Sequence, residues 1–335
     1  MAPTPAVHYN RRHMQPLARI LVIKLGPLSE FVLSLPAMKR LREAHARSHI
    51  TLLTTPRFAE LARSSRYFDH VEPSGDQQGF GAAMSLAGWI RKSRFDRVYD
   101  LENSAHTKRV FSAMWPGRTD WSGDVRGASL RNLTKNRGRM HVLERQADQL
   151  KTAGVWPDAP TVAGEAPPPD LSWIVRRAPE PRQMPGAEKP KPYALLSPGG
   201  VSRAQERWSI ENYAELAKRL YDHGLDVLVI GSPEESAMAR AIQRTTPRAR
   251  DLTGRTDFAQ IAVLSARAAL AVGNGSGAVH LMAAAGAPTI AIYAGGLDPE
   301  LSGPRGYVAI LTGRDAKDIS LQQVAETALV LARSA

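Results

Sequence analysis

Short, continuously apolar runs alternate with longer amphipathic segments over the first half of the chain. The runs at residues 20–23, 50–53 and 98–101 have the length and composition of strands that are buried on both faces, and residues 35–46 show helical periodicity between the first two. Buried strands separated by helices are typical of a parallel sheet built from βαβ units. The pattern therefore predicts a doubly wound α/β domain in this half.

The same alternation returns in the second half. It predicts strands at residues 193–197, 227–230, 268–272, 289–293 and 308–311. The helix after the first of these has clear end signals, with Ser209 as N-cap, Trp208 before it to pack on Tyr213, and Gly224 at its end. A second doubly wound α/β domain is therefore predicted.

Prolines separate the two halves. Ten of the 24 prolines fall within residues 157–192, a density incompatible with a regular packed helix or a central strand. We predict a flexible tail over residues 1–18, a first domain over 19–156, a proline-rich linker over 157–192 and a second domain over 193–335. Because ligands bind at the carboxyl ends of strands in such sheets, the cleft between the domains is the expected site.

Composition and hydropathy exclude several classes of protein. There is no cysteine, so disulfides, thiolate zinc sites and thiol nucleophiles are excluded. No Asp-x-Asp pair or His/carboxylate cluster has ligand spacing, so neither a tightly held metal nor a cofactor is predicted. Residues 1–18 lack the apolar region of a signal peptide or anchor, and residues 278–296 are interrupted by Gly286 and Pro288, so no span is predicted.

The positive charge is confined to the first half. Residues 1–156 hold 25 Lys and Arg against 13 Asp and Glu, whereas residues 157–335 hold 19 of each, so the net charge of +12 belongs to the first domain. Such a domain faces nucleic acid, a phospholipid surface or an acidic substrate, or simply carries a solvated basic surface. No zinc finger, basic zipper or aromatic RNA-reading motif accompanies the charge, so nucleic acid is the least favoured partner.

Two strand-to-helix loops carry the strongest candidate chemistry. In residues 24–30 (KLGPLSE), Glu30 lies at the cleft edge and would deprotonate a docked hydroxyl; alternatively, Ser29 caps the helix and Glu30 complements its dipole. In residues 273–280 (GNGSGAVH), three glycines and a helix start favour phosphate oxygens, and Ser276 and His280 add donors. The structural alternative there is a tight turn with a core histidine.

Two further loops of the second half are weaker candidates. Residues 197–208 (SPGGVSRAQERW) carry Ser202, Arg203 and Arg207, which would complete a diphosphate cradle or remain solvated. In residues 231–235 (GSPEE), Glu234 and Glu235 would accept hydrogen bonds from ribose hydroxyls or act as charges at a helix start. Both alternatives remain open for each loop.

Four stretches together resemble a known family. They read ILVIKLGPLSEFVLSLPAMKRLR, MHVLERQADQLKTAGV, LLSPGG followed by ERWSIENYAELAKRL, and GNGSGAVHLMAAAGAPTIAIY, and they spread over nearly all of residues 19–306. The family is that of the ADP-heptose:lipopolysaccharide heptosyltransferases, glycosyltransferase family 9. The resemblance implies the GT-B fold, in which two Rossmann-like domains face each other, and an enzyme that transfers a heptose.

The resemblance also implies roles for individual residues. It implies that Glu30 is the catalytic base, that the loop at residues 273–280 binds the nucleotide diphosphate, and that residues 252–255 lie near the adenine. The predicted nucleotide-sugar site comprises Ser202, Arg207, Glu234, Glu235, Arg255, Ser276, Gly277 and His280. The implied acceptor is an anionic Kdo and lipid A core at the cytoplasmic face of the inner membrane. We expect Lys24, Lys108 and Arg109 to bind that acceptor and the enzyme to be cytoplasmic and peripheral to that membrane.

Some positions depart from the family pattern. The base is usually aspartate, and Glu30 adds one methylene, a change in reach of about an ångström. Glu206 stands where a lysine usually binds phosphate, and it would repel a diphosphate unless it turns away and Arg203 or Arg207 substitutes. Gly275 stands where an aspartate is usual, and residues 294–299 (AGGLDP) replace the usual Gly-Pro-Thr-Asp-Pro.

Two functions follow from these observations. The first is an inverting glycosyltransferase that moves a heptose or related sugar from an ADP-sugar to the lipopolysaccharide inner core. The second is a noncatalytic or donor-switched paralogue that uses its basic domain to bind a membrane surface or a partner. The changes at Glu206 and Gly275 motivate the second hypothesis.

Overall fold

The chain forms two six-stranded sheets, in each of which neighbouring strands pair in parallel. The computed structural model describes residues 17–74, 79–114, 119–160, 162–176, 191–201 and 203–333. The first sheet contains β1 (Arg19–Ile23), β2 (His49–Leu53), β3 (His70–Glu72), β4 (Arg97–Asp100), β5 (Asp120–Gly123) and β6 (Leu130–Arg131). The second contains β7 (Tyr193–Ser197), β8 (Asp226–Val229), β9 (Arg250–Asp251), β10 (Leu270–Asn274), β11 (Thr289–Tyr293) and β12 (Val308–Thr312).

Helices connect the strands and cover the sheets. They are α1 (Leu28–Leu33), α2 (Leu35–Ala44), α3 (Ala59–Ser65), α4 (Phe80–Ser93), α5 (Ala105–Ala113), α6 (Val142–Thr152), α7 (Ser172–Val175), α8 (Ile210–Asp222), α9 (Ser236–Thr245), α10 (Phe258–Ala266), α11 (Gly277–Ala284), α12 (Pro299–Ser302) and α13 (Leu321–Arg333). Short 3₁₀ turns occur at Pro56–Phe58, Arg137–Arg139, Ala204–Glu206, Pro233–Glu235 and Ala316–Asp318. The predicted α/β class with two Rossmann-like domains is confirmed.

Both sheets reverse their strand order at one point. The first sheet runs β3-β2-β1-β4-β5-β6 and the second β12-β11-β10-β7-β8-β9. The chain therefore leaves β1 and β4 in opposite directions, and the same is true of β7 and β10. A crevice opens at such a switch point outside the carboxyl ends of the strands, which is where doubly wound sheets bind ligands.

The core is continuous between the two domains. In β1, Ile20 and Val22 join a cluster of buried residues that extends to Val279 and Met282 of α11 in the second domain. Leu21 and Ile23 face the opposite side of the sheet and pack with residues of α4 and α5. The two Rossmann-like units are thus joined by buried apolar packing as well as by the chain that connects them.

The direct interdomain contact is made by two short helices. α1 packs on α11 so closely that a Cβ added at Gly277 would lie 2.6 Å from the Cβ of Leu28. Polar contacts reinforce the contact, because His141 Nε2 lies 2.9 Å from the carbonyl oxygen of Gly303, and Arg305 approaches Glu144 at 3.4 Å. The first turns of α1 and α11 therefore lie against each other.

The proline-rich segment differs from a plain linker. It contains the four-residue helix α7, which a high proline density was expected to prevent. Leu171 donates its amide to the carbonyl of Ala284 at 2.9 Å, and the ring of Trp173 lies 6.2 Å from that of Tyr67. This part of the connection is therefore packed against both domains. Residues 1–16 of the predicted tail and residues 161 and 177–190 of the predicted linker lie outside the described residues.

Predicted and observed elements differ mainly at edges. The strands β3, β5, β6 and β9 were not predicted, because β3, β6 and β9 have only two or three residues and β5 (DWSG) contains a single apolar residue besides glycine. The strand predicted at 268–272 is displaced to Leu270–Asn274, since the amide of Ala268 still bonds to Ser265 at the end of α10. None of the helices within the described part of the chain is both long and apolar enough to traverse a bilayer.

Candidate active site

A buried lysine organises the loop between β1 and α1. The Lys24 side chain is 1% exposed, and its ammonium bonds to the Glu30 carboxylate at 2.6 Å and to the Glu102 carboxylate at 2.9 Å. Glu30 remains 33% exposed and lies in the first turn of α1. The helix begins after Pro27 with no side-chain cap, so Ser29 does not cap it.

Glu102 is the member of this cluster that sequence reasoning missed. Its carboxylate also accepts the backbone amides of Leu25 and Gly26 at 3.0 and 2.9 Å. Burial acts to raise the pKa of Glu102, but the Lys24 ammonium and the two amides outweigh it and hold the pKa below its usual range. Glu102 lies two residues after the end of β4, the neighbour of β1 at the switch point, and that position was the available signal.

The loop that carries Glu102 is itself anchored. Asp100 accepts the amides of Glu102 and Asn103 at 3.1 and 2.9 Å, and the Asn103 side chain bonds to Gln149 on α6 at 2.8 Å. Burial raises the pKa of Asp100 to about 6. These bonds fix Glu102 against the end of β1.

The predicted acceptor-binding cations occupy different environments. The prediction for Lys24 does not fit its surroundings, because the ammonium is buried and bonded to two carboxylates. Lys108 is 43% exposed and pairs with Asp124 at 3.1 Å, and Arg109 is exposed on α5. A cavity of about 230 Å³ is lined in part by Trp89 of α4 and His106 of α5.

The loop between β10 and α11 lies on the other side of the interdomain contact. Ser276 is 6% exposed, and its hydroxyl has no hydrogen-bond partner among the described residues. His280 is 2% exposed and its Nε2 lies 3.1 Å from the hydroxyl of Tyr293, while its Nδ1 has no partner within the same residues. Burial, assisted by the charge of His141, lowers the pKa of His280 to about 3, so the imidazole is neutral. Of the predicted residues here, Ser276 and Gly277 lie at the helix start and His280 lies buried beneath it.

Three loops of the second domain converge next to Ser276. A Cβ at Gly200 would lie 2.6 Å from that of Ser276, so the loop after β7 touches the loop after β10. The buried Asn274 joins them, donating to the carbonyl of Pro198 at 2.7 Å and accepting the amide of Trp208 at 3.0 Å. Asn274 was part of the predicted loop, but this bridging role was not foreseen.

The loop after β8 joins the same cluster through Glu235. This carboxylate accepts the amide of Gly200 and, at 2.7 Å, that of Ser232, so it ties two loops together. Glu234 is exposed, and hydrogen bonds from Ser232 and from its own backbone lower its pKa. Arg255 is exposed on the adjoining turn, where the amide of Gly254 bonds to the carbonyl of Gly231 at 2.9 Å.

The positions that depart from the family pattern have local explanations. Glu206 is largely buried and lies 3.6 Å from the Arg203 guanidinium, so its charge is paired. Arg207 is exposed and donates to the carbonyl of Val201 at 2.8 Å. A Cβ at Gly275 would lie 3.0 Å from a side-chain atom of Leu297 and 3.1 Å from the ring of Tyr293, so both neighbours would have to shift slightly to admit a side chain there. Ser202 lies outside the described residues.

The turns that carry the two candidate loops lie against each other across the domain contact. Leu28, two residues before Glu30, packs on Gly277, the residue after Ser276. A carboxylate on one side and a helix start on the other are suited to a reaction between a hydroxyl and a phosphorylated donor. No group of three or more His, Asp or Glu with metal-ligand geometry occurs within the described ranges.

Known proteins are similar to this chain in sequence and in fold. The lipopolysaccharide heptosyltransferase 2 of Escherichia coli K12 is 29% identical over 249 residues, 68% of each chain. The structure of E. coli ADP-heptose LPS heptosyltransferase II covers 94% of this chain and 99% of its own, with a TM-score of 0.75 and 23% identity. E. coli heptosyltransferase WaaC with ADP covers 93% and 99%, with a TM-score of 0.71 and 17% identity.

These structural matches confirm the GT-B arrangement of the two domains. The family model of glycosyltransferase family 9 (heptosyltransferase) matches residues 83–316, from the start of α4 to the last 3₁₀ turn. That range contains the whole second sheet and the strands β4 to β6 of the first, but not β1 to β3 or the loop that carries Glu30. The chain therefore belongs to glycosyltransferase family 9, the heptosyltransferases.

Proposed function

We propose that this enzyme transfers a heptose, or a closely related sugar, from an ADP-linked donor to the lipopolysaccharide inner core with inversion at the anomeric carbon. The relatives whose names describe lipopolysaccharide heptosyltransferases support the substrates. The observation that carries the mechanism is the packing of α1 on α11, because it brings the turn that holds Glu30 against the helix start at Ser276.

The reaction is a single displacement. Glu30 takes the proton of the acceptor hydroxyl while that oxygen forms a bond to the anomeric carbon of the sugar. The bond from the anomeric carbon to the diphosphate oxygen breaks, and its electron pair leaves with ADP. Attack opposite to the leaving group inverts the configuration. The proton on Glu30 then passes to water, which the partly exposed carboxylate can reach.

The second domain would hold the donor. The amides at the start of α11 and the buried Ser276 hydroxyl are donors for the diphosphate, and the exposed guanidinium of Arg207 adds positive charge. Glu235 already accepts two backbone amides, so the exposed Glu234 is the better candidate for the ribose hydroxyls. Arg255 lies on the turn assigned to the adenine. His280 supports the helix start from beneath through its contact with Tyr293.

The first domain would hold the acceptor. Its net positive charge matches an anionic Kdo and lipid A core, and Lys108 and Arg109 present partly or fully exposed cations on α5. We place the enzyme in the cytoplasm, peripheral to the inner membrane that presents such an acceptor. Lys24 is reassigned from the acceptor to the support of Glu30 because it is buried against that carboxylate.

A direct transfer assay tests this function. The purified chain is incubated with ADP-heptose and a Kdo-lipid A acceptor, and released ADP, product mass and anomeric configuration are measured. We expect ADP in equal amount to a heptosylated product whose anomeric configuration is opposite to that of the donor. Absence of transfer, together with no calorimetric binding of ADP at millimolar concentration, would instead favour the noncatalytic alternative.

A further inference from the structure

The cluster at the end of β1 contains one more carboxylate than a base needs. Lys24 is bonded to both Glu30 and Glu102, so the three side chains together carry one negative charge. The two carboxylates converge on Gly26, where an added Cβ would lie 3.2 Å from oxygens of each. Glu102 is the better fixed of the two, since it also accepts the amides of Leu25 and Gly26 and is only 13% exposed.

The charge balance matters because Lys24 is buried. If Lys24 and Glu30 formed a pair alone, protonation of Glu30 would leave a buried ammonium with no counter-charge, which is strongly unfavourable. A base in that position would resist taking the proton that its reaction requires. With Glu102 present, the ammonium keeps a carboxylate partner at 2.9 Å before and after the proton moves.

We propose that Glu102 is a positioning residue that allows Glu30 to act as base: it retains the Lys24 ammonium while Glu30 takes up the acceptor proton. The cluster then passes from one net negative charge to none, and no buried charge is left unpaired. This role rests on the proposed glycosyl transfer, in which Glu30 receives the proton. It also explains why a lysine can hold the base in place without disabling it.

Other titratable groups act on the same cluster. Asp100 lies two residues before Glu102, and His106 faces it from the start of α5. Burial raises the pKa of Asp100 to about 6, and burial together with Arg109 lowers the pKa of His106. Asp100 and His106 are retained in every variant below, so their titration is common to all the pH profiles. The test therefore compares the profiles with one another.

The first test is Glu102→Gln. The amide oxygen can still accept the amides of Leu25 and Gly26, so the charge changes while the loop keeps its hydrogen bonds. We expect kcat to fall by about tenfold and the acidic limb of the kcat profile to move to lower pH by about one unit, because Glu30 then binds the ammonium alone. The KM for the ADP-sugar, which binds the other domain, should change by less than about twofold.

Two further variants separate charge from structure. Glu102→Asp keeps the charge and should leave the acidic limb close to its wild-type position. The double variant Lys24→Met with Glu102→Gln removes one charge of each sign and restores one net negative charge on Glu30. We expect it to return the acidic limb toward higher pH than Glu102→Gln, whereas a purely structural role predicts further loss. Glu60→Gln, at an exposed ion pair on α3, is the matched control for a lost carboxylate.

Each outcome decides between the two claims. The inference is supported if the wild-type chain transfers the sugar, Glu102→Gln moves the acidic limb of the kcat profile to lower pH, and the double variant moves that limb back. The inference is overturned, and the proposed function left intact, by either of two results in a wild-type chain that transfers the sugar. In the first, Glu102→Gln leaves both kcat and the acidic limb unchanged. In the second, the acidic limb does not return in the double variant although circular dichroism shows that this variant is folded. Failure of the wild-type chain to transfer any heptose overturns the proposed function and this inference together.

Discussion

The two loops that meet across the domain contact satisfy their polar groups in opposite ways. On the first domain, the Lys24 ammonium is bonded to the carboxylates of Glu30 and Glu102, and Glu102 also accepts two backbone amides. On the second domain, the buried Ser276 hydroxyl and the His280 Nδ1 have no partner among the described residues. Buried polar groups are costly without partners, and only the second loop keeps such groups available for a ligand. In the proposed function, donor binding and proton transfer are accordingly divided between the two domains.

Replacing the base should have the largest effect on this division. Glu30→Gln removes proton acceptance but keeps the size of the side chain, so kcat should fall by about 10²–10⁴-fold. ADP affinity, measured by calorimetry, should not change, because the donor loop is on the other domain. Glu43→Gln, at a half-exposed position on α2, is the control. Full turnover of Glu30→Gln with both substrates bound would show that the base has been assigned to the wrong residue.

A change at the contact itself tests whether the loops must be pressed together. Gly277→Ala places a Cβ 2.6 Å from that of Leu28, so the helices must separate or shift. We expect a loss of about 1–3 kcal/mol in the free energy of unfolding, measured in urea, and a reduced kcat. Gly88→Ala on α4 meets no atom within 4 Å and should be neutral or slightly stabilising. Equal stability of both variants would contradict the close packing.

The smallest expected effect concerns the pH dependence of stability. The folded-state pKa of His280 is lowered to about 3 by burial and by His141, whereas an unfolded histidine takes up a proton near its ordinary value of 6.5. The unfolded state therefore binds more protons as the pH falls, and His280 should reduce stability by about 1–2 kcal/mol between pH 7 and pH 5. His280→Gln should flatten this part of the profile, whereas His223→Gln, at an exposed site, should not. Parallel profiles for wild type and His280→Gln would refute the assignment.

The central elements were predictable because their signals are local. Residues 193–197 and 289–293 were predicted as strands and are β7 and β11. The start of α8 was read from Ser209, which caps the helix by accepting the amide of Asn212 at 3.1 Å, and from Trp208, whose ring lies 4.9 Å from that of Tyr213. Such signals span a few residues, and tertiary contacts do not override them here.

Only those parts of the site that lie on one continuous segment of the chain were predictable from the sequence. Glu102 lies 72 positions after Glu30, and only the adjacency of β1 and β4 places it there, so no spacing in the sequence reveals it. Counting charged residues cannot distinguish a buried lysine from an exposed one, and Lys24 was therefore predicted to bind the acceptor. Glu206 was expected to repel a diphosphate unless it turned away and Arg203 or Arg207 substituted, and only the structure shows that Arg203 lies 3.6 Å from it. Each difference arises from a partner that is close in space.

The packing of α1 on α11 links the domain contact to the proposed reaction. The same two helices pack the halves of the molecule together and, in the proposed reaction, carry the turns that would serve deprotonation and departure of the leaving group. Any change that separates α1 from α11 would therefore also draw the turn of Glu30 away from the turn of Ser276. A substitution at this contact would thus weaken the cohesion of the two halves and the proposed transfer together.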